Sequence, residues 1–303
     1  MVNKIAVTGA FSYTGKYITQ RLLACDYQVI TFTGHPDRPD PFNGQVQVFP
    51  YNFNDSKTLS SALEGVSILF NTYWVRFNHG ESTFDLAVEN TNTLIHAAEN
   101  AGVSRIVHTS ITNPSIDSPL PYFRGKAMIE DMIVKSRLSY AILRPTVLFG
   151  NEDILINNIA FLLRNFPFFI VMGDGNYRLQ PVYVEDFASL AVVAAHQRES
   201  RIEDVVGPDI FTFNELVYVI ADKLQLPLKL IHVKPDIALW ASRLVGFFMN
   251  DVVLTKDEMA GLMAGLLVSR KKPLGKTGLS DWLGMNISNI GRRYASELVR
   301  HYK

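Results

Sequence analysis

An excess of either charge is missing from this 303-residue chain: Lys plus Arg number 29 and Asp plus Glu number 29, giving a formal net charge of zero. A balanced chain has no broad field to attract nucleic acid, so no nucleic-acid partner is expected. Cysteine is nearly absent. The one thiol, Cys25, has no mate for an intramolecular disulfide, and the chain opens on a strand-like run instead of a charged-then-apolar leader. A reducing, cytoplasmic setting is the expectation. No apolar run approaches the ~18 residues of a spanning helix. The nearest, Ile237 to Met249, is shorter and contains Arg243. Its Trp240, Leu244, Phe247 and Phe248 would rest on a membrane surface or a partner, or pack on their own domain, which is the commoner outcome. Low-complexity tracts and internal repeats are lacking. The seven His are scattered and no Cys pair exists, so no metal site is expected.

What is present is an ordinary globular balance, 48% hydrophobic and 19% charged, enough for a substantial core in one large or two unequal domains. The N-terminal stretch carries the most information. Ile5 to Val7 is a short apolar run, a turn follows at Gly9, and Tyr17, Ile18, Leu22 and Leu23 have helical spacing. A strand entering a helix through a tight turn leaves backbone N–H groups free at the positive end of the helix dipole, a natural seat for a phosphate or pyrophosphate. Read as G-x-x-G-x-x-G, the pattern has Gly9 and Gly15 at its ends and Ser12 in the middle. Ser12 weakens the match, and its hydroxyl could donate to a phosphate oxygen. Gly9, Phe11, Ser12, Tyr13, Thr14 and Gly15 are therefore candidate contacts for a dinucleotide cofactor.

Further apolar runs, Gln28–Thr33, Val46–Phe49, Val66–Asn71, Arg105–Ser110 and Tyr140–Leu143, read as strands. Helical stretches at 56–63, 82–100 and 123–136 alternate with them. Parallel neighbours need crossover helices, so the fold class is a doubly wound α/β parallel sheet. Ligands of such sheets gather at the carboxyl ends of the strands, which here carry Gly9, Thr33, Phe53, Tyr73, Ser110 and Pro145. A dinucleotide-binding domain is expected over 1–150, with 182–206 returning to it. Residues 151–303 form a smaller lobe for a small-molecule substrate, whose natural place is a crevice between lobes. Capping boxes at Thr212–Glu215 and Thr255–Glu258 start two helices there.

Tyr122 and Lys126 lie four apart at the start of the helix after the fifth strand. An ammonium beneath a phenol favours the phenolate, which can exchange a proton with a substrate carbonyl or alcohol while a cofactor exchanges hydride. With Thr8-Gly9-Ala10 through Gly15, Leu143-Arg144-Pro145-Thr146-Val147-Leu148-Phe149-Gly150 and Pro181-Val182-Tyr183-Val184-Glu185-Asp186, the chain resembles the short-chain dehydrogenase/reductase superfamily in its extended, epimerase-like branch. Asn71-Thr72-Tyr73-Trp74-Val75-Arg76-Phe77, Tyr177-Arg178-Leu179-Gln180-Pro181-Val182, Leu254-Thr255-Lys256-Asp257-Glu258 and Ser280-Asp281-Trp282-Leu283 are similar to the atypical subgroup that includes the NADPH-binding accessory subunit of respiratory complex I.

The resemblance implies a Rossmann-type NAD(P)-dependent oxidoreductase or nucleotide-sugar epimerase with Tyr122 as acid/base and Lys126 as its partner, Lys126 also reaching cofactor ribose. Typical members place Ser or Thr just past the fifth strand, where this chain has Ile111. Either Ser110 or Thr112 substitutes, or the site holds cofactor without efficient turnover, as in a structural or redox-sensing relative. At the end of the second strand no carboxylate repels a 2′-phosphate. Thr33, Gly34, His35 and Arg38 could contact one, so NADP(H) is favoured over NAD(H). Phe53 is placed to pack on adenine. Arg178 is the substrate-side candidate, where the family often has a cation, against a buried salt bridge. The superfamily often pairs subunits through helices like 82–100 and 123–136, so a homodimer is an expectation.

Overall fold

The computed structural model describes residues 4–252 and 255–301. In chain order the elements are β1 (Lys4–Thr8), α1 (Tyr13–Ala24), β2 (Gln28–Thr33), β3 (Val46–Pro50), α2 (Ser56–Ala62), β4 (Val66–Asn71), α3 (Phe84–Asn100), β5 (Arg105–Thr109), α4 (Pro121–Lys135) and β6 (Ser139–Pro145). They continue as β7 (Leu148–Phe149), α5 (Leu155–Asn165), β8 (Phe168–Met172), β9 (Arg178–Leu179), β10 (Val182–Tyr183), α6 (Val184–Ala195) and β11 (Arg201–Val205). The last are β12 (Phe211–Thr212), α7 (Phe213–Leu224), β13 (Lys229–Val233), α8 (Pro235–Met249), α9 (Lys256–Met263), α10 (Leu279–Asn286) and α11 (Glu297–His301). The chain divides into two compact units, Met1–Pro145 with Glu185–Asp204, and Thr146–Val184 with Val205–Lys303.

The first unit holds the expected doubly wound α/β sheet, in the order β11-β6-β5-β4-β1-β2-β3. The pairs β1·β2, β1·β4, β2·β3, β4·β5 and β5·β6 are all parallel. Such strands are buried on both faces, which is why β1, β2 and β4 read as nearly unbroken apolar runs. Ala6, Ile30, Leu69, Ile106 and Ile142 form one layer with Leu59 and Leu63, Val88, Leu94 and Ile95 of α3, and Ile129 and Ile133 of α4. α1 buries Ile18 and Leu22, and its Arg21 pairs with Glu185 of α6 at 2.8 Å. The seventh strand, Arg-Ile-Glu-Asp-Val, carries charge along a half-buried edge, so it has no apolar run to betray it. Helix ends follow local chemistry: Thr83 accepts from Leu86 N–H to start α3, and Pro121 occupies the first turn of α4.

The second unit has three separate two-stranded pairs, β7·β10, β9·β12 and β8·β13. Its core joins Phe149, Ile159, Leu163, Val171, Leu216, Ile220 and Trp282. Both capping boxes form, Thr212 with Glu215 at α7 and Thr255 with Glu258 at α9. Among the described residues no helix is long and apolar enough to cross a membrane. On α8, Trp240 is exposed, while the side chains of Leu244, Phe247 and Phe248 lie outside the described residues.

Candidate cofactor and active site

The turn between β1 and α1 is held by close backbone approach. Gly9 has φ +66°, a conformation that L side chains rarely adopt, and its N–H donates to Phe32 O at 2.8 Å. A Cβ on Gly15 would lie 2.1 Å from Gly9 O, so the helix can start against this turn only with Gly15 bare. Ser12, expected to offer its hydroxyl to a phosphate, instead donates from Oγ to Gly9 O at 2.6 Å, and its N–H reaches the same oxygen at 2.9 Å. The middle-position side chain thus folds back to close the turn. Ser12 makes no side-chain cap bond and the first turn of α1 has no acidic residue, so neither of these offsets its positive end. Tyr13 and Thr14 stand half-buried in that first turn, and the Phe11 ring meets Phe42 at 6.2 Å.

Past β2, Thr33 Oγ1 accepts the His35 N–H at 3.1 Å, and Gly34 is exposed between them. None of Thr33, Gly34 and His35 at the strand end is a carboxylate. Arg38 follows, half-buried, with Nη2 enclosed and without a hydrogen-bond partner. Burial pushes its guanidinium pKa down. An orphaned guanidinium nitrogen of this kind is a seat for an anion, and with the uncapped helix and the bare Gly15 it fits a phosphate-bearing dinucleotide.

At the ends of β1 and β4, Thr8 Oγ1 accepts N–H from Thr72 at 2.8 Å and Tyr73 at 3.0 Å. Tyr73 accepts from Asn90 at 2.9 Å, and its ring lies 5.2 Å from Phe53 and 5.0 Å from Tyr51. Phe53, the adenine candidate, stacks on Tyr51 at 4.8 Å and is one of a three-ring cluster. Burial pushes the Tyr51 and Tyr73 phenols upward.

The catalytic candidates gather around α4 and the end of β5. Lys126 is 3% exposed; its ammonium donates to Thr109 O at 2.7 Å and lies 4.8 Å from the centre of the Trp74 ring. Burial lowers its pKa from 10.5 to about 7, partly opposed by Glu130. The Tyr122 ring meets Trp74 edge-on at 5.7 Å and Phe84 at 5.9 Å. Beneath them Asn71 donates from Nδ2 to His108 Nδ1 at 3.2 Å, since its Oδ1 is taken by Tyr73 N–H. His108 is fully buried, held neutral by burial and then by Lys126.

Ser110 has a specific commitment. Its hydroxyl donates to Glu130, a buried carboxylate that also receives Arg144 Nε at 3.0 and 3.2 Å. Ile111 is buried, and Thr112 N–H donates to Pro145 O at 2.9 Å. Arg178 belongs to the second unit, exposed on β9 opposite Thr212 of β12; the buried salt bridge is absent there. Among the described residues no cluster of three or more His, Cys, Asp or Glu is placed to hold a metal.

Glu130, Trp74, Asn71 and His108 were not among the sequence candidates. Glu130 had a signal, because it repeats the four-residue step from Tyr122 to Lys126 once more on the same helical face. Asn71 and His108 were visible only as polar residues at the ends of apolar strands.

Residues 9–159 match the family described as NAD(P)H-binding. The chain is homologous to subunit 9 of the NADH dehydrogenase [ubiquinone] 1 alpha subcomplex. It is 26% identical to that of Arabidopsis thaliana over 230 residues, covering 72% of this chain and 57% of the relative. Against that of Dictyostelium discoideum it is 27% identical over 240 residues, covering 73% and 65%. The chain thus spans less than two thirds of either relative. Among solved structures, the triphenylmethane reductase of Citrobacter sp. superposes with TM-score 0.79 at 18% identity, covering 94% of this chain and 99% of that one. The NADPH-dependent quinone oxidoreductase of Escherichia coli complexed with NADPH gives 0.74 at 21%, covering 94% and 98%. The solved structures show a reductase/epimerase-type fold, and residues 9–159, just under half of the chain, are similar to the NAD(P)H-binding family.

Proposed function

We propose that this chain binds NADPH in preference to NADH along the carboxyl edge of the first unit's sheet, and exchanges a proton with a small carbonyl or alcohol substrate through Tyr122. The observation that carries the cofactor reading is Arg38, whose buried Nη2 lacks a partner at the end of β2, where a carboxylate would select NADH. Gly9, Gly15 and the first turn of α1 would hold the pyrophosphate, Thr33, His35 and Arg38 the 2′-phosphate, and Phe53 with Tyr73 the adenine side. Bound NADPH would supply hydride. Tyr122 would then give or take the substrate proton, and Lys126, poised to change charge at about pH 7, would favour the phenolate in its ammonium form.

A second reading has a specific observation in its favour. The Ser110 hydroxyl is spent on Glu130 and Ile111 offers no donor, so the hydrogen bond that would polarise a substrate oxygen is left to Thr112. With relatives named as complex I subunits, this supports an NADPH-binding assembly or redox-sensing protein that turns over little.

Titration of nicotinamide fluorescence tests the cofactor. NADPH should bind more tightly than NADH, and Arg38→Ala should cut NADPH affinity by roughly 10- to 100-fold, the worth of a charge-assisted hydrogen bond, while sparing NADH. Equal loss for both would remove Arg38 from 2′-phosphate recognition. Once a substrate is found, Tyr122→Phe should abolish turnover at unchanged NADPH affinity; undiminished turnover would sink the proton-transfer role.

A further inference from the structure

In the second unit β8 alternates cleanly: Phe169 and Val171 enter the core, whereas Phe168 and Ile170 face out at 38% and 41% exposure. β13 runs parallel beside it with Lys229 opposite Phe168 and Ile231 opposite Ile170. Paired residues of parallel neighbours share a face, so Phe168, Ile170, Ile231 and Lys229 form one exposed surface. Phe166, also exposed, sets its ring 5.9 Å from that of Phe168. α8 follows β13 directly and exposes Ile237 and Trp240, at 53% and 65%, three apart on one helical stripe.

Charge tells what such a surface is for. Along the face and its helix, over 168–172 and 229–240, the sequence holds Lys229 and Lys234 against a single acid, Asp236, in a chain whose net charge is zero. Exposed aromatic and branched side chains interleaved with lysines suit a bilayer interface, where rings enter the headgroup layer and lysine stems reach past them to phosphate. A protein partner would disfavour a lysine inside the apolar face, since interface cores are depleted of Lys.

We propose that the β8–β13 face, with the exposed stripe of α8, docks peripherally on an anionic phospholipid surface. The inference stands apart from the cofactor reading, because none of these residues belongs to the candidate cofactor or catalytic set. Flotation of the full chain with vesicles is the test, using phosphatidylcholine alone or with about a third phosphatidylglycerol to supply the negative surface potential. The chain should float with the anionic vesicles only, release at about 0.5 M salt where screening is nearly complete, and shift Trp240 emission to the blue. Ile231→Ser with Trp240→Ser should weaken binding more than about tenfold through lost apolar burial, and Lys229→Ala and Lys234→Ala about fivefold each. These side chains are exposed, so unfolding curves should not move. Failure to float with anionic vesicles would overturn the proposal, as would wild-type binding by the double serine variant. A dimer in light scattering that Phe168→Ser with Ile231→Ser dissolves would also overturn it, giving the face to a second copy.

Discussion

In the first unit, backbone meets backbone along five parallel ladders; in the second, short strand pairs are tied together by single side chains that reach backbone groups far away in sequence. Gln180 shows the second manner. It is 2% exposed, donates from Nε2 to Gly207 O at 2.9 Å, accepts Ser269 N–H at Oε1 at 3.0 Å, and gives its own N–H to Leu267 O. Asn158 likewise holds Ala295 by both its N–H and its carbonyl, and Arg164 donates to Ile287 O and Ile290 O. A ladder spreads its stability over many equivalent bonds. A clamp concentrates it on one residue.

The comparison breaks most sharply at two glycines that admit no side chain. Gly15 would place a Cβ 2.1 Å from Gly9 O, and Gly207 would place one 1.9 Å from Pro181 O. Forcing either apart should cost about 3 kcal/mol, the upper range for overpacking, in urea unfolding of Gly15→Ala and Gly207→Ala. Only the Gly15 change should also abolish NADPH binding by the folded fraction; loss of binding in both would show that the turn has no special part in holding cofactor. Next comes the clamp itself. Gln180→Leu keeps the volume but strands Gly207 O and the Ser269 N–H, at about 1–3 kcal/mol for each buried orphan. A loss under 1 kcal/mol would mean that water or a local shift replaces the side chain.

The same difference governs what could be read from sequence. β2 and β4 lie where their apolar runs placed them, at Gln28–Thr33 and Val66–Asn71, because a strand buried on both faces announces itself locally. α7 and α9 were legible at their starts, since a capping box is contained in four residues. β8, β9 and β13 were not, because each pairs with only one other strand, and clamps such as Gln180 and Asn158 act over distances that periodicity cannot span. At the candidate site, residue types and their helical spacing were visible in Tyr122 and Lys126. Hydrogen-bond direction was hidden: nothing in the sequence told that Ser12 turns back to Gly9 or that Ser110 is committed to Glu130.

The response to pH separates the units by sign of charge. Lys126 of the first unit has its pKa lowered by burial from 10.5 to about 7, so between those values the unfolded chain binds more protons and stability rises with pH. Asp153 of the second unit caps α5 by accepting Ile156 N–H at 2.6 Å, yet burial raises its pKa from 3.8 to about 7. Over that acid range the folded chain binds more protons, and stability falls as pH rises. The two groups together place a stability minimum near pH 7. Urea midpoints from pH 4 to 10 measure both limbs: Lys126→Met should flatten the alkaline limb alone, and Asp153→Asn the acid limb alone. An alkaline rise that survives Lys126→Met would mean that the ammonium stays charged through neutrality under Trp74, and its support of the Tyr122 phenolate would then not fade near pH 7.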